Sequence, residues 1–160
     1  MQAEAFRMGM WRHILSIKAH MDKVFGRIVM QESLTVAQAM ALLWIHRGSV
    51  KNVGSLGRLM QMGQANASTL CKKLEKDGLL RRIRDEKDER VVRLTLTENG
   101  ERVVTHILAC LEGLDRFIAA YPPEKLQCIL TGFEETEIFL QTLQAMNETC
   151  HQGKEQGTHA

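Results

Sequence analysis

The stretch that decides the fold runs from Gln64 to Glu89 and reads QANASTLCKKLEKDGLLRRIRDEKDE. On a helix, its apolar residues recur at i, i+3, i+4 and i+7, so they form one stripe that packs inward. These residues are Ala67, Leu70, Cys71 and Leu74. Gly78 follows as a residue suited to the left-handed backbone that commonly ends a helix. The pattern predicts a helix over 64–76 with one face in a core.

The opposite face of this helix carries small, hydroxylated and cationic side chains and no acid. They are Ala65, Ser68, Thr69, Lys72 and Lys76, with Lys73 at the margin. Small leading residues let a helix enter the major groove of DNA closely, where lysines and hydroxyls reach phosphates and base edges. The face therefore predicts DNA contact. The alternative is a domain that uses this helix to bind another protein, and an apolar face would have indicated such a protein-interaction module.

Two β-rich runs follow, at 79–84 and 91–97, and the second alternates apolar and polar residues. Val92, Leu94 and Leu96 are expected to point inward, and Val91, Arg93 and Thr95 outward. The charged stretch DEKDER at 85–90 lies between the two runs and cannot be core. A lone charged turn is often only solvated surface, but directly after a basic helix this hairpin is expected to reach DNA.

Four short segments in this order resemble the MarR family of bacterial transcriptional regulators. They are LTVAQ at 34–38, LEKDGLL at 74–80, DER at 88–90 and LTENG at 96–100. The resemblance implies a mainly α fold with a small β-hairpin wing, which is a winged helix-turn-helix with a helical dimerisation region. It also implies a two-fold homodimer that binds a pseudo-palindromic double-stranded DNA operator, with a repressor as the expected form.

The resemblance also assigns roles to residues of the wing. Arg90 matches the arginine that family members place in the minor groove, and Asp88 matches the acid that holds this arginine. Arg84, Lys87 and Arg93 are weaker candidates for contacts with the DNA backbone. The chain departs from the family pattern in having Thr69 where Arg is common and Gly63 where a Ser or Thr cap is common.

The remaining sequence divides the chain into four parts. Residues 1–33 are predicted to form a dimerisation helix, because apolar residues from Trp11 to Ile28 recur at helical spacing. Residues 34–97 form the winged domain, in which Thr35 and Gln38 match a capping box. Residues 98–150 form two further dimerisation helices separated by prolines, and 151–160 form a polar tail expected to be disordered.

Charge is unevenly distributed along the chain. Residues 34–97 contain 12 of the 21 Lys and Arg but only 6 of the 19 Asp and Glu. This excess lies where the DNA-reading helix and wing are predicted, as binding to nucleic acid requires. Without an apolar run long enough to span a bilayer or a signal-peptide core, the protein is expected to be cytoplasmic. The four cysteines form no CxxC pair and are expected to be reduced thiols.

A small-molecule effector is a further expectation from the resemblance, since family members often bind aromatic compounds between the dimer helices and the winged domain. The candidate pocket residues are Trp11, His13, His20, Trp44 and His46. His106 and Cys110, at i and i+4 on one helix, could supply two zinc ligands, but two ligands do not make a site. No cofactor is predicted, and zinc-responsive or thiol-oxidation-responsive regulation stays open as an alternative.

No motif of an enzyme is present: the chain has no glycine-rich phosphate loop, no HExxH, no GxSxG and no paired carboxylates at useful spacing.

Overall fold

The computed structural model describes residues 2–84 and 92–155, with side chains described for 2–83 and 92–147. Within these ranges the chain forms six helices and one two-stranded antiparallel sheet. The helices are α1 (Ala3–Met30), α2 (Val36–His46), α3 (Val53–Leu59), α4 (Gln64–Lys76), α5 (Glu98–Ala120) and α6 (Pro123–Glu155). The strands are β1 (Leu80–Arg84) and β2 (Val92–Leu96). The predicted mainly α fold with a β-hairpin is confirmed.

The ends of the short helices follow from local chemistry. Thr35 and Gln38 form the predicted capping box at the start of α2. Asn52 and Ser55 form a second capping box on α3, which the sequence analysis did not identify. Gly78 has the expected positive φ of 71° after α4. These caps fix where three helices of the winged domain begin or end.

The core of the winged domain collects apolar side chains from α2, α3, α4, the hairpin and the start of α5. The most completely buried large side chains are Leu42, Leu56, Cys71, Leu74, Leu80, Val104 and Ile107. The inward stripe of α4 is confirmed, because Ala67, Cys71 and Leu74 are fully buried and Leu70 packs against the core. Burial of each leucine, valine or isoleucine of this core stabilises the fold by about 1.5–3 kcal/mol.

The hairpin is paired from Leu80 opposite Leu96 to Arg84 opposite Val92. Leu94 is buried while Arg93 and Thr95 are exposed, as the alternation predicts. Val91, which was expected to point outward, lies outside the described residues. The Leu94 amide also donates to the carbonyl of Lys51 at 2.9 Å, so the segment before α3 joins the hairpin at its free edge.

The hairpin closes onto α5 through Thr97. The Thr97 amide donates to the carbonyl of Leu79 at 3.1 Å, and its hydroxyl donates to the carbonyl of Gly78 at 2.6 Å. The same hydroxyl accepts the amide N–H of Gly100 at 3.0 Å, which confirms Thr97 as the cap of α5. One residue, through its amide and its hydroxyl, therefore ties the end of α4, the base of the hairpin and the start of α5.

Contacts divide the chain into two compact units, Met1–Glu112 and Gly113–Ala160. The second unit contains the end of α5 and all of α6. Helix α6 begins at Pro123 as the prolines predict, and it continues to Glu155, past the point at which a disordered tail was expected. No proline interrupts residues 124–155, so the helical hydrogen bonds can continue. The rest of that expected tail lies outside the described residues.

Candidate nucleic-acid interface

Helix α4 presents the predicted polar face to solvent. Gly63 is its N-cap, in extended backbone and without a side-chain cap, and the helix runs from Gln64 to Lys76. Exposed along one side are Ala65, Thr69, Lys72 and Lys76, with Ser68 half-buried among them. The buried stripe on the other side holds this face outward. The structure therefore brings the predicted recognition-helix residues onto one accessible surface.

Two residues of this face are already engaged. The hydroxyl of Thr69 donates to the carbonyl of Ala65 at 3.0 Å, one turn earlier. The methyl group and the oxygen lone pairs of Thr69 stay available for contact with a ligand. Lys73 pairs with Asp77 at 3.0 Å, so its ammonium is held at the end of α4 beside an acid. Lys72 and Lys76 are the lysines of α4 for which no ion pair is formed with the described residues.

A polar cavity of about 270 Å³ opens where α3, α4 and the hairpin meet. Its walls are Asn52, Val53, Gly54, Gln64, Ser68, Arg82 and Val92. The Nε of Arg82 is buried and has no hydrogen-bond partner among the described residues. A guanidinium in this position can donate hydrogen bonds to an anion that binds where α4 meets the hairpin.

Arg82 was missed by the sequence analysis, which treated the run 79–84 only as a strand. The usable signal was the period of two along β1. Leu80 points into the core, so Arg82 lies on the same, inward-facing side of the strand. The Arg82 amide N–H also donates to Glu75 Oε1 at 3.3 Å, which links β1 to α4.

The wing residues are only partly described. Arg93 is exposed on β2, and the backbone of Arg84 ends β1. The side chain of Arg84, and Lys87, Asp88 and Arg90 entirely, lie outside the described residues. Their predicted contacts with DNA stay predictions.

Cys71 lies directly beneath the exposed face of α4. Burial raises the pKa of the Cys71 thiol, the positive charge of Arg82 opposes this shift, and the negative charge of Glu75 adds to it. The thiol is fully buried and carries no disulfide, so it serves as a small core residue.

The five predicted effector-pocket residues lie on two helices. Trp11, His13 and His20 are exposed on α1, and His20 bonds the carbonyl of Ser16 on its own helix. On α2, Trp44 packs against the core, whereas His46 pairs with Glu101 of α5 at 2.7 Å. None of the five lines the cavity beside α4, and their role as a ligand site stays a prediction.

His106 and Cys110 are brought together as the spacing predicts, with Nε2 and Sγ 3.7 Å apart. The other ring nitrogen of His106 pairs with Glu32, so the thiol and the carboxylate lie at opposite nitrogens of one imidazole. A single ion cannot reach both. In the described ranges, no group of three or more His, Cys, Asp or Glu side chains is arranged to hold a metal ion.

Comparison with known proteins agrees with this geometry. The model of the family described as Transcriptional regulator SarA/Rot matches residues 23–107. The chain is 35% identical over 78 residues to the HTH-type transcriptional regulator SarZ of Staphylococcus haemolyticus (strain JCSC1435). This match covers 49% of the chain and 53% of that protein, so the chain spans about half the length of this curated relative.

Two solved structures extend the likeness. The transcriptional regulator Tm0710 from Thermotoga maritima is 29% identical with a TM-score of 0.53, over 83% of this chain and 95% of that one. The S. aureus MepR–DNA complex has a TM-score of 0.67 at 16% identity, over 81% of this chain and 97% of that one. At this identity the MepR likeness establishes the fold alone.

The fold and the exposed face of α4 define a winged helix-turn-helix protein, as the sequence predicts. The family match covers more than half of the chain. The chain belongs to the SarA/Rot family of transcriptional regulators, a group of MarR-like winged-helix proteins, and the resemblance found in the sequence is confirmed.

Within the described residues, no helix is long and apolar enough to cross a membrane.

Proposed function

We propose that this protein is a cytoplasmic, homodimeric regulator of transcription that binds double-stranded DNA in a sequence-specific manner. The observation that carries the proposal is the exposed face of α4. It combines Ser68, Thr69, Lys72 and Lys76 with small Ala65, and the stripe packed into the core on the opposite side fixes its orientation. A rigid helix with this composition matches the requirements of the major groove.

The chemistry of each residue suggests its partner on DNA. Lys72 and Lys76 supply charge to phosphates, while Ser68 and Thr69 meet base edges. With its hydroxyl hydrogen directed to Ala65, Thr69 offers a methyl group that suits the methyl of thymine. Arg82 extends the footprint to the junction of α4 and the hairpin. S. aureus MepR, which has the same fold, has been solved as a complex with DNA, and this supports DNA as the kind of partner.

Exposed apolar side chains support a homodimer. In the first unit, α1 exposes Trp11, Leu15, Ile17, Met21 and Val24. In the second unit, α6 exposes Ile129, Leu130, Phe133, Ile138 and Leu143. Patches of this kind mark protein–protein contacts. A two-fold dimer presents two equal recognition helices, so the operator is a pseudo-palindrome with half-sites about one helical turn (~10 bp) apart.

An organic effector that releases a repressor from DNA is the form of regulation we propose. Trp11 and Trp44 supply flat apolar surfaces, and His13, His20 and His46 supply polar groups of the kind ligand pockets use. The ligand shifts DNA affinity only if it favours the spacing of recognition helices that fits DNA less well. Tryptophan fluorescence during titration with aromatic acids tests this binding, and a parallel assay of operator release tests its effect.

The DNA function is tested by selecting bound DNA from a random pool and then measuring affinity against salt. Lys76→Ala is expected to reduce the slope of log K against log salt by about 1, because one phosphate contact is lost. Lys125→Ala, which removes an exposed lysine of α6, is the matched control and is expected to leave the slope unchanged. Arg90→Ala is expected to weaken binding to most sequences, whereas Ser68→Ala and Thr69→Ala change the preferred bases.

Two results contradict the proposal. One is a pool from which no sequence is enriched, which would favour the protein-interaction module. The other is an unchanged affinity and salt slope in both Lys76→Ala and Arg90→Ala.

A further inference from the structure

Glu32, His106 and Cys110 form a cluster remote in sequence from the DNA-reading helix. Glu32 follows α1, while His106 and Cys110 lie one turn apart on α5. His106 Nδ1 pairs with the carboxylate of Glu32, and His106 Nε2 lies 3.7 Å from Cys110 Sγ. The order along the contacts is thiol, imidazole, carboxylate, which is the arrangement of an activated nucleophile.

The carboxylate fixes the role of each ring nitrogen. An ionised carboxylate only accepts hydrogen bonds, so Nδ1 carries the proton that is shared with Glu32. In the neutral ring, Nε2 then presents its lone pair to the thiol. The amide oxygen of Gln31 is a second acceptor, but at 4.0 Å it lies farther from Sγ than the imidazole does. The closer group is the one that can take the thiol proton.

In the single chain, solvent reaches this cluster. The side chain of His106 is 49% exposed and that of Glu32 is 22% exposed, and Cys110 is half-buried beside them. The other described cysteines differ. Cys71 is fully buried, whereas Cys128 is exposed on α6 and has no imidazole within hydrogen-bond distance in the described part of the chain. In the single chain Cys128 is therefore an exposed thiol without a neighbouring base, and it is the reference for the rate at Cys110.

We propose that Cys110 is a reactive thiol and a site of covalent modification by α,β-unsaturated carbonyl compounds. His106 Nε2 accepts the thiol proton, and the sulfur forms a bond to the β-carbon of the reagent. The π electrons of the C=C bond form a new double bond between the α-carbon and the carbonyl carbon, and the C=O π electrons move onto oxygen to give an enolate. The imidazolium then returns the proton to the α-carbon, so the reaction is a net addition and needs no oxidant. Glu32 is a positioning residue that acts through His106. The proposal does not depend on DNA binding.

The test uses N-ethylmaleimide, an α,β-unsaturated dicarbonyl, at limiting concentration on the full native chain. Peptide mapping by mass spectrometry follows each cysteine separately over time. Cys110 is expected to react about 10-fold faster than Cys128, because the thiolate is the nucleophile and a positioned base generates it. Cys71 is expected to stay unmodified, and its labelling reports unfolding in any variant.

Two variants separate chemistry from structure. His106→Asn is expected to lower the Cys110 rate to that of Cys128, and Glu32→Gln to lower it in part, with Cys71 still protected in both. If Cys71 becomes labelled in His106→Asn, that variant is unfolded, and the test then depends on Glu32→Gln, which keeps the shape of the carboxyl group. The proposal is overturned if Cys110 reacts no faster than Cys128 in the native protein. It is also overturned if neither folded variant changes the ratio of the two rates.

Discussion

Gly100 packs against the backbone at the point where the hairpin joins α5. A Cβ placed on it would lie 2.1 Å from the carbonyl oxygen of Leu79, which also accepts the amide of Thr97. No side-chain rotation relieves this clash, because the backbone alone sets the position of a Cβ and the oxygen belongs to the main chain. Only glycine fits while α5 keeps its present approach to the hairpin.

Gly100→Ala is therefore expected to reduce the free energy of unfolding by about 3 kcal/mol, measured by chemical denaturation. Gly113→Ala on the same helix is the matched control, because an added Cβ meets nothing within 4 Å there. The control is expected to stabilise the protein by about 0.5–1 kcal/mol through helix propensity. Equal changes in the free energy of unfolding for Gly100→Ala and Gly113→Ala would show that the backbone of Leu79 does not lie this close to Gly100.

The buried thiol of Cys71 links stability to alkaline pH. Its pKa is raised in the folded state, mainly by burial, above the value of 9.0 for a free thiol. The folded chain therefore holds the proton where the unfolded chain loses it. The stabilisation is complete below about pH 9 and is lost as pH rises towards the folded pKa.

Between pH 8 and 10.5, the wild-type free energy of unfolding is expected to fall more steeply than that of Cys71→Ala. The difference in slope is at most about 1.4 kcal/mol per pH unit, the limit for one proton. Denaturant melts of both proteins across this range measure it. If the free energies of unfolding of wild type and Cys71→Ala fall in parallel with pH, the raised pKa of Cys71 is contradicted, however much the two proteins differ in stability.

At the scale of the element, α4 begins without a side-chain cap. Gly63 has φ −61° and ψ 151°, and an added Cβ would meet nothing within 4 Å. A serine fits this backbone, and its hydroxyl can accept from an unpaired amide of the first turn.

Gly63→Ser is expected to raise the free energy of unfolding by a few tenths of a kcal/mol. On the proposed function, Gly63→Ser is also expected to tighten DNA binding, because the added hydroxyl at the start of α4 can donate a hydrogen bond to a DNA phosphate. Gly63→Ala adds the Cβ without the hydroxyl and is expected to destabilise by about 0.5–1 kcal/mol. Thermal melts and DNA titration of the two variants separate the effect of the capping hydroxyl from the effect of the added Cβ. A Gly63→Ser variant that is no more stable than Gly63→Ala would contradict the capping role.

The elements that the sequence predicts best are those fixed by neighbours in the chain. The stripe of α4, the capping box at Thr35 and the positive φ at Gly78 depend on residues within a few positions of one another. The contacts of His106 with Glu32 and of His46 with Glu101 span 74 and 55 residues, and no local pattern pairs their members. The cavity at Arg82 depends in the same way on three elements meeting. The candidate face was therefore predictable, and the clusters around α5 were not.

At the scale of the whole molecule, a dimer requires the apolar side chains of α6 to be covered. Phe133 is 49% exposed in the single chain. Phe133→Glu is expected to shift the protein towards monomer, because a buried unpaired carboxylate is costly at an interface. Light scattering at micromolar concentration measures the shift, and loss of operator binding accompanies it on the proposed function.

The matched control is Gln127→Glu, which adds the same charge at an exposed polar position of α6. It is expected to leave the mass unchanged. A wild-type monomer at this concentration, or a Phe133→Glu variant that stays dimeric, would argue against an interface on this part of α6.

The closure of the hairpin by Thr97 bears on how readily new members of such a family can arise. The links from Thr97 to Gly78, Leu79 and Gly100 lie at the base of the hairpin, where they join its two ends to α4 and α5. On the proposed function, substitutions in the hairpin beyond this base are therefore expected to change the choice of DNA target while the scaffold of α4 and α5 keeps its fold.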